Sequence, residues 1–248
     1  MKSIKISPKF NKYKNPKIGL IALASDYIIE KDFQTVIKNK NIDLFVNRIQ
    51  SFNPLTKKNL VKMASKITKV TKDILPGEKV DCIAYACTSG TIAVGYNSIK
   101  TKIIKAKPNC KVTTPSTSSI SALRKHKIKK IALFTPYPKK LNDEVCDFFK
   151  SENFIITSNS YFNIKSDIDI GKVDPDYLFK VLTKMDHKNA DALFVSCTAL
   201  PILSILNKLE KKIKKIVLSS NQTLIWDALE KIGKNNSIKG FGRLFNSN

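Results

Sequence analysis

Two cysteines stand in matching surroundings. The runs Asp81-Cys82-Ile83-Ala84-Tyr85-Ala86-Cys87-Thr88-Ser89 and Asp191-Ala192-Leu193-Phe194-Val195-Ser196-Cys197-Thr198-Ala199 each read as an aspartate, a buried strand and then Cys-Thr, with the cysteines 110 residues apart. A sulfur so placed falls at the end of a strand and the opening of a helix, where free backbone N–H groups gather positive potential. At the first mouth these belong to Thr88, Ser89 and Gly90, at the second to Thr198, Ala199 and Leu200. They suit a substrate carboxylate, and the same potential is expected to lower the pKa of the thiols. Two thiols facing one carbon next to a carboxylate could remove a proton, or add, on one side and deliver a proton on the other. An isolated cysteine is more often a small buried hydrophobe, which is the reading given to Cys82, Cys110 and Cys146. Repetition of the whole context sets Cys87 and Cys197 apart.

The elements that must hold these residues follow from periodicity. Short apolar runs at 17–24, 42–48, 80–86, 111–114, 130–135, 154–161, 192–196 and 215–219 read as strands, and amphipathic stretches lie between most of them. That alternation predicts βα units and parallel sheets. Asn53-Pro54 reads as an N-cap followed by proline at the first helical position, opening a helix that carries Leu60, Met63, Ala64, Ile67, Val70 and Ile74; Asp174-Pro175 reads the same way. A last helix opens near Asn221 and closes at Gly233. The strands divide into two sets of four, and the openings Lys17-Ile18-Gly19-Leu20 and Lys130-Ile131-Ala132-Leu133 lie 113 residues apart, close to the cysteine offset. Two similar α/β halves are expected, meeting near 115–119. The final helix is expected to return to the first half, so that residues 1–116 and 221–248 form the domain of Cys87 and residues 117–220 that of Cys197. In open parallel sheets ligands collect beyond the carboxyl ends of the strands, where both cysteines fall.

Composition narrows the function classes. The 248 residues are 42% hydrophobic and 26% charged with 5 cysteines, an ordinary globular chain and not a disulfide scaffold. A formal charge of +24 raises the question of nucleic acid, but only Arg48, Arg124 and Arg243 among 44 basic residues are arginine, and the basic knots are not interleaved with aromatics. No nucleic-acid partner is expected. The basic start lacks the apolar stretch of an export signal, and the longest uncharged apolar run, at 192–206, is too short to span a bilayer. A cytoplasmic protein without a membrane partner is expected. Phosphate-loop, dinucleotide and zinc-peptidase motifs are absent, His126 and His187 sit among lysines as surface residues, and neither a metal nor an organic cofactor is expected.

The run Ala84-Tyr85-Ala86-Cys87-Thr88-Ser89-Gly90-Thr91 resembles the first cysteine motif of maleate cis-trans isomerases and ectoine-utilisation proteins, in the aspartate/glutamate racemase superfamily, with arylmalonate decarboxylases as relatives. Gly19-Leu20-Ile21, Thr135-Pro136-Tyr137, Ser196-Cys197-Thr198, Ser220-Asn221-Gln222 and Gly240-Phe241-Gly242-Arg243-Leu244 extend the resemblance from about Lys17 to the end. It implies an α/β fold of two pseudo-symmetric parallel-sheet domains, Rossmann-like or flavodoxin-like, with the active site in the cleft between them. It implies catalytic roles for Cys87, as nucleophile or base, and Cys197, as proton donor, and a substrate-binding role for Tyr137. Asp26 and Asp167 fall where maleate isomerases carry carboxylate-binding asparagines. They are expected to repel a dicarboxylate and to favour a small acid that also bears an amino group, as ectoine-derived compounds do. The bland alternative for Asp26 is a helix cap. The expected protein is a cofactor-independent isomerase or racemase acting on a small carboxylate-bearing substrate and assembled as a homodimer or larger homo-oligomer. The alternatives are an arylmalonate-type decarboxylase and a non-enzymatic small-molecule-binding protein.

Overall fold

The computed structural model describes residues 3–11, 14–234 and 237–246. The ends of the expected first domain, at 1–2 and 247–248, lie outside the described residues. Four strands, β1 (Lys17–Leu23), β2 (Asp43–Ile49), β3 (Cys82–Ala86) and β4 (Lys111–Thr113), form one all-parallel sheet in the order β2-β1-β3-β4. A second sheet of β5 (Lys130–Thr135), β6 (Ile155–Tyr161), β7 (Ala192–Val195) and β8 (Ile216–Ser219) repeats it as β6-β5-β7-β8. All eight expected strands are present. The repeated aspartate ties strands together. Asp81 Oδ2 accepts the Lys17 N–H at 2.8 Å, and Asp191 Oδ2 accepts the Lys130 N–H at the same distance. Each carboxylate thus clips the central strand to the cysteine-bearing strand at its first residue, which sets where that strand ends.

Strands β3 and β7 are buried at every position, as sheets covered on both faces require. Gly19 in β1 is a packing glycine, since a Cβ there would meet Ile83 Cδ1 at 2.4 Å. The helices are α1 (Ile29–Ile37), α2 (Lys57–Ala64), α3 (Ile67–Lys72), α4 (Thr88–Val94), α5 (Tyr96–Ala106), α6 (Pro115–Lys125), α7 (Lys139–Ser151), α8 (Asp167–Gly171), α9 (Pro175–Lys184), α10 (Leu203–Ile213) and α11 (Ser220–Lys231). The Asp174-Pro175 start holds, the aspartate side chain accepting the Tyr177 N–H at 2.7 Å. The Asn53-Pro54 start does not. That bond is cis, and Thr56 caps a helix that begins three residues later, because its hydroxyl can accept the Asn59 N–H. The single helix expected from Leu60 to Ile74 is broken at Ser65-Lys66 into α2 and α3. His126 and His187 are half-buried and not surface residues; His187 bonds the Leu182 carbonyl.

Helix α11 leaves β8 without a loop, its start fixed by a capping box between Ser219 and Gln222. It packs against β3, β4 and α6. The polar first turn, Ser220 to Thr223, is fully buried and reaches the ends of both sheets. Among the described residues no helix is long and apolar enough to cross a membrane.

Candidate active site

Cys87 is the N-cap of α4. Its sulfur accepts the Gly90 N–H at 3.2 Å, so the helix mouth expected to receive a carboxylate already spends one donor on the thiol. Cys197 follows β7 with φ +100°, a left-handed conformation that a side chain with a Cβ rarely adopts. The helix mouth at Cys87 and the turn after Cys197 interlock. Thr198 Oγ1 donates to the carbonyl of Ala86 at 3.2 Å, so the residue after one cysteine holds the residue before the other. Ser220 Oγ accepts both the Thr88 hydroxyl and the Cys197 N–H, each at 3.0 Å. Tyr137, on the connection from β5 to α7, is buried and offers its hydroxyl to the Cys197 sulfur.

Three carboxyl groups surround these residues. Asp26 is fully buried: its Oδ1 accepts the N–H groups of Ile28 at 2.9 Å and Ile29 at 3.1 Å, while Oδ2 is buried without a hydrogen-bond partner. The Thr198 hydroxyl lies near that carboxyl but donates to Ala86. One oxygen therefore does the capping of the bland reading and the other is left over. Asp167 opens α8 and accepts the Ser25 hydroxyl at 3.3 Å. Sequence reasoning missed the third, Asp32 of α1, whose Oδ2 accepts Asn221 Nδ2 at 2.8 Å. It also gave no role to Ser220, Asn221 or Tyr85. The available signal was a polar Ser-Asn-Gln run opening a helix directly after a strand, where no loop exists to expose it.

Burial governs the charges. Desolvation, opposed by too few hydrogen bonds, raises the Asp26 carboxyl above its usual range and lifts Asp167 to about 6 and Asp32 to about 7, with the Asp26 charge adding to both. The thiols, expected low, are high. Burial first and the Asp167 carboxylate second push Cys87 up to about 12 and Cys197 well above its normal value, against the opposing Gly90 and Tyr137 hydrogen bonds. A helix terminus is worth about 0.3–1 kcal/mol to a neighbouring charge, less than the burial of a sulfur anion beside acids. Cys87 is 2% and Cys197 3% exposed, so both sulfurs are shielded from solvent. The helix expected directly after Cys197 is absent, since residues 198–202 form a turn and α10 begins only at Leu203. The residues singled out from the sequence gather around the two cysteines, Thr88, Ser89 and Gly90 at the helix mouth of Cys87, Thr198 and Ala199 in the turn after Cys197, and Tyr137, Asp26 and Asp167 beside them.

Two like-folded parallel sheets, each delivering a cysteine just past the end of its third strand, place the chain among the enzymes of the aspartate/glutamate racemase superfamily, in the group of isomerases and decarboxylases that use no cofactor. More narrowly, the arylmalonate decarboxylase family matches residues 80–245, and the chain belongs to that family. It is 23% identical over 245 residues to the maleate isomerase of Geobacillus stearothermophilus, covering 93% of this chain and 97% of the relative. The maleate isomerase of Pseudomonas putida crystallised with maleate superposes with a TM-score of 0.87 at 20% identity, over 94% of this chain and 98% of the other. A cysteine-to-serine mutant of the Nocardia farcinica maleate cis-trans isomerase, bearing a covalent succinylcysteine intermediate, superposes with a TM-score of 0.87 at 17% identity, over 95% and 100%.

Proposed function

We propose that the chain is a cofactor-independent isomerase or racemase that acts beside the carboxylate of a small, amino-bearing acid of the ectoine-derived kind. Cys87 and Cys197 work from opposite faces of the bound carbon, in a cleft between a first domain (1–116 with 221–248) and a second (117–220). The observation that carries this reading is the interlock of the Cys87 helix mouth with the Cys197 turn through Thr198, Ser220 and Tyr137 beside a buried carboxyl oxygen that lacks a donor. The succinylcysteine adduct in the Nocardia relative supports a nucleophilic cysteine in this fold.

In racemisation, one sulfur as thiolate takes the proton from carbon, and the opposite thiol returns its own proton to the other face. One sulfur gains the proton that the substrate loses, and the other loses the one it gains. In cis-trans isomerisation the Cys87 thiolate bonds to one carbon of the double bond, and the electron pair moves to its neighbour, which the Cys197 thiol protonates. Rotation about the single bond follows, and the steps then reverse. Thr88, Ser89, Gly90, Thr198 and Ala199 bind the carboxylate, and Tyr137 orients it.

Asp26 and Asp167 select the cation. A unit charge about 4 Å away interacts by about 4 kcal/mol at an effective dielectric of 20, so a second carboxylate beside them is repelled and an ammonium is held. The same pairing activates the enzyme. Both acids raise the thiol pKa values, and neutralising them with a bound ammonium lowers those values where the substrate sits.

Incubation of candidate acids in deuterated water tests the mechanism. Label uptake is expected in wild type and not in Cys87→Ser or Cys197→Ser; exchange surviving both substitutions removes the mechanism. For specificity, diaminobutyrate derivatives should raise the melting temperature of wild type more than maleate does, and Asp26→Asn should reverse that order. Tighter maleate binding by wild type than by Asp26→Asn defeats the charge argument.

A further inference from the structure

The φ of +100° at Cys197 needs a cause. A non-glycine residue held there is strained and persists only where its surroundings over-determine it. Two consecutive side chains at the start of α11 do this. Ser220 Oγ accepts the Cys197 N–H at 3.0 Å, and Asn221 Nδ2 donates to the carbonyl of the next residue, Thr198, at 2.8 Å. The backbone polar groups on either side of the Cys197-Thr198 turn are thus held by one rigid helix end, fixed in turn by its capping box. Both amide hydrogens of Asn221 are in use, one on Thr198 and one on Asp32, which sets the amide orientation. Ser220 also takes the Thr88 hydroxyl, so the same oxygen refers Cys197 to the mouth of Cys87.

We propose that Ser220 and Asn221 are positioning residues that clamp the Cys197 backbone in its left-handed conformation and so aim its sulfur across the site at the carbon served by Cys87. The inference rests on the reading of Cys197 as a proton carrier. Without these bonds the Cys197 backbone would be free to relax toward the extended conformation and carry its side chain with it. The clamp acts on placement alone. Neither residue needs to touch substrate.

The probe is iodoacetamide, with alkylation of each cysteine read separately by peptide mass spectrometry in wild type, Ser220→Ala and Ser220→Thr. Ser220→Ala is expected to change the rate at Cys197 at least tenfold relative to Cys82, Cys110 and Cys146, and Ser220→Thr, which keeps the oxygen, to restore it. Equal changes at all cysteines would mean general loosening and overturn the proposal. With a substrate found by the deuterium assay, Ser220→Ala should lower kcat at least tenfold with KM within about threefold; a fall in affinity alone also overturns it.

A folding cycle guards against a variant too unstable to assay. Glycine at 197 accepts a positive φ without strain, so the change that Ser220→Ala makes in the unfolding equilibrium constant should be at least fivefold smaller in a Cys197→Gly background. The same change in both backgrounds refutes the clamp. The deuterium assay reads the chemistry of Cys197 and the alkylation assay reads its placement, so the two proposals can fail separately.

Discussion

Gly90→Ala is the sharpest perturbation available near Cys87. A Cβ at 90 would stand 2.8 Å from the Cys87 sulfur, 2.9 Å from the Tyr85 hydroxyl and 3.2 Å from Met63 Cε. Nonbonded atoms settle near 3.5–4.0 Å, so about 1 Å of movement is needed. Met63 ends in a flexible methyl and can yield. Tyr85 is fully buried in β3 and cannot, so the sulfur must move and its 3.2 Å hydrogen bond from the Gly90 N–H is disturbed. Alanine gains about 1 kcal/mol over glycine inside a helix, while overpacking costs about 1–3 kcal/mol. The net loss is then about 1 kcal/mol, a fall in melting temperature of about 2–4 °C for a chain of this size. Function should suffer far more, because a displacement of about 1 Å can cost on the order of a hundredfold in rate. Denaturant unfolding and deuterium uptake measured together separate the two effects. Turnover within twofold of wild type in a folded Gly90→Ala protein would show that the sulfur position does not matter, and the mechanism built on it would fall.

Three further outcomes are expected. Asp167→Asn removes the charge that most raises both thiols after burial itself, so iodoacetamide should label Cys87 several-fold faster at pH 8; an unchanged rate would separate the carboxylate from the sulfur. Folding raises the Asp32 carboxyl from an ordinary 3.8 to about 7 and Asp167 to about 6, so the stability these groups contribute is complete below about pH 4 and is lost as the pH rises through those values. The melting temperature should therefore fall between about pH 4 and 7, and Asp32→Asn should flatten that slope; a slope unaltered by the substitution assigns it elsewhere. Ser219→Ala deletes the cap of α11, should cost about 1 kcal/mol in urea unfolding, and should alter Cys197 labelling more than Cys82 labelling; no preference between them would detach the helix start from the site.

Much of this site is local in origin. Alternating apolar runs dictate strands because a doubly covered parallel sheet has no polar face, and the Asp-strand-Cys-Thr repeat puts each sulfur just past the end of a strand, although only Cys87 opens a helix there. The eight strands, the helix mouth at Cys87 and the start at Asp174-Pro175 could accordingly be read from neighbouring residues, whereas the helix expected after Cys197 is replaced by a turn that delays α10 to Leu203. The break between α2 and α3 and the late start at Thr56 could not, because the competing signals there, a proline and a helical apolar stripe, are overridden by how the loop after β2 packs.

Charge state belongs wholly to the tertiary structure. A cysteine at a helix mouth reads as acidic in sequence. Only folding brings Asp167 up to Asp26, from a distant segment, into the desolvated space of both sulfurs and reverses that expectation. The left-handed turn at Cys197 is decided the same way, by Ser220 and Asn221 arriving from the end of the second sheet. Strand patterns act over a few residues and are written in order along the chain, whereas burial and electrostatic repulsion depend on which segments meet, and that is settled when the two sheets close on one another.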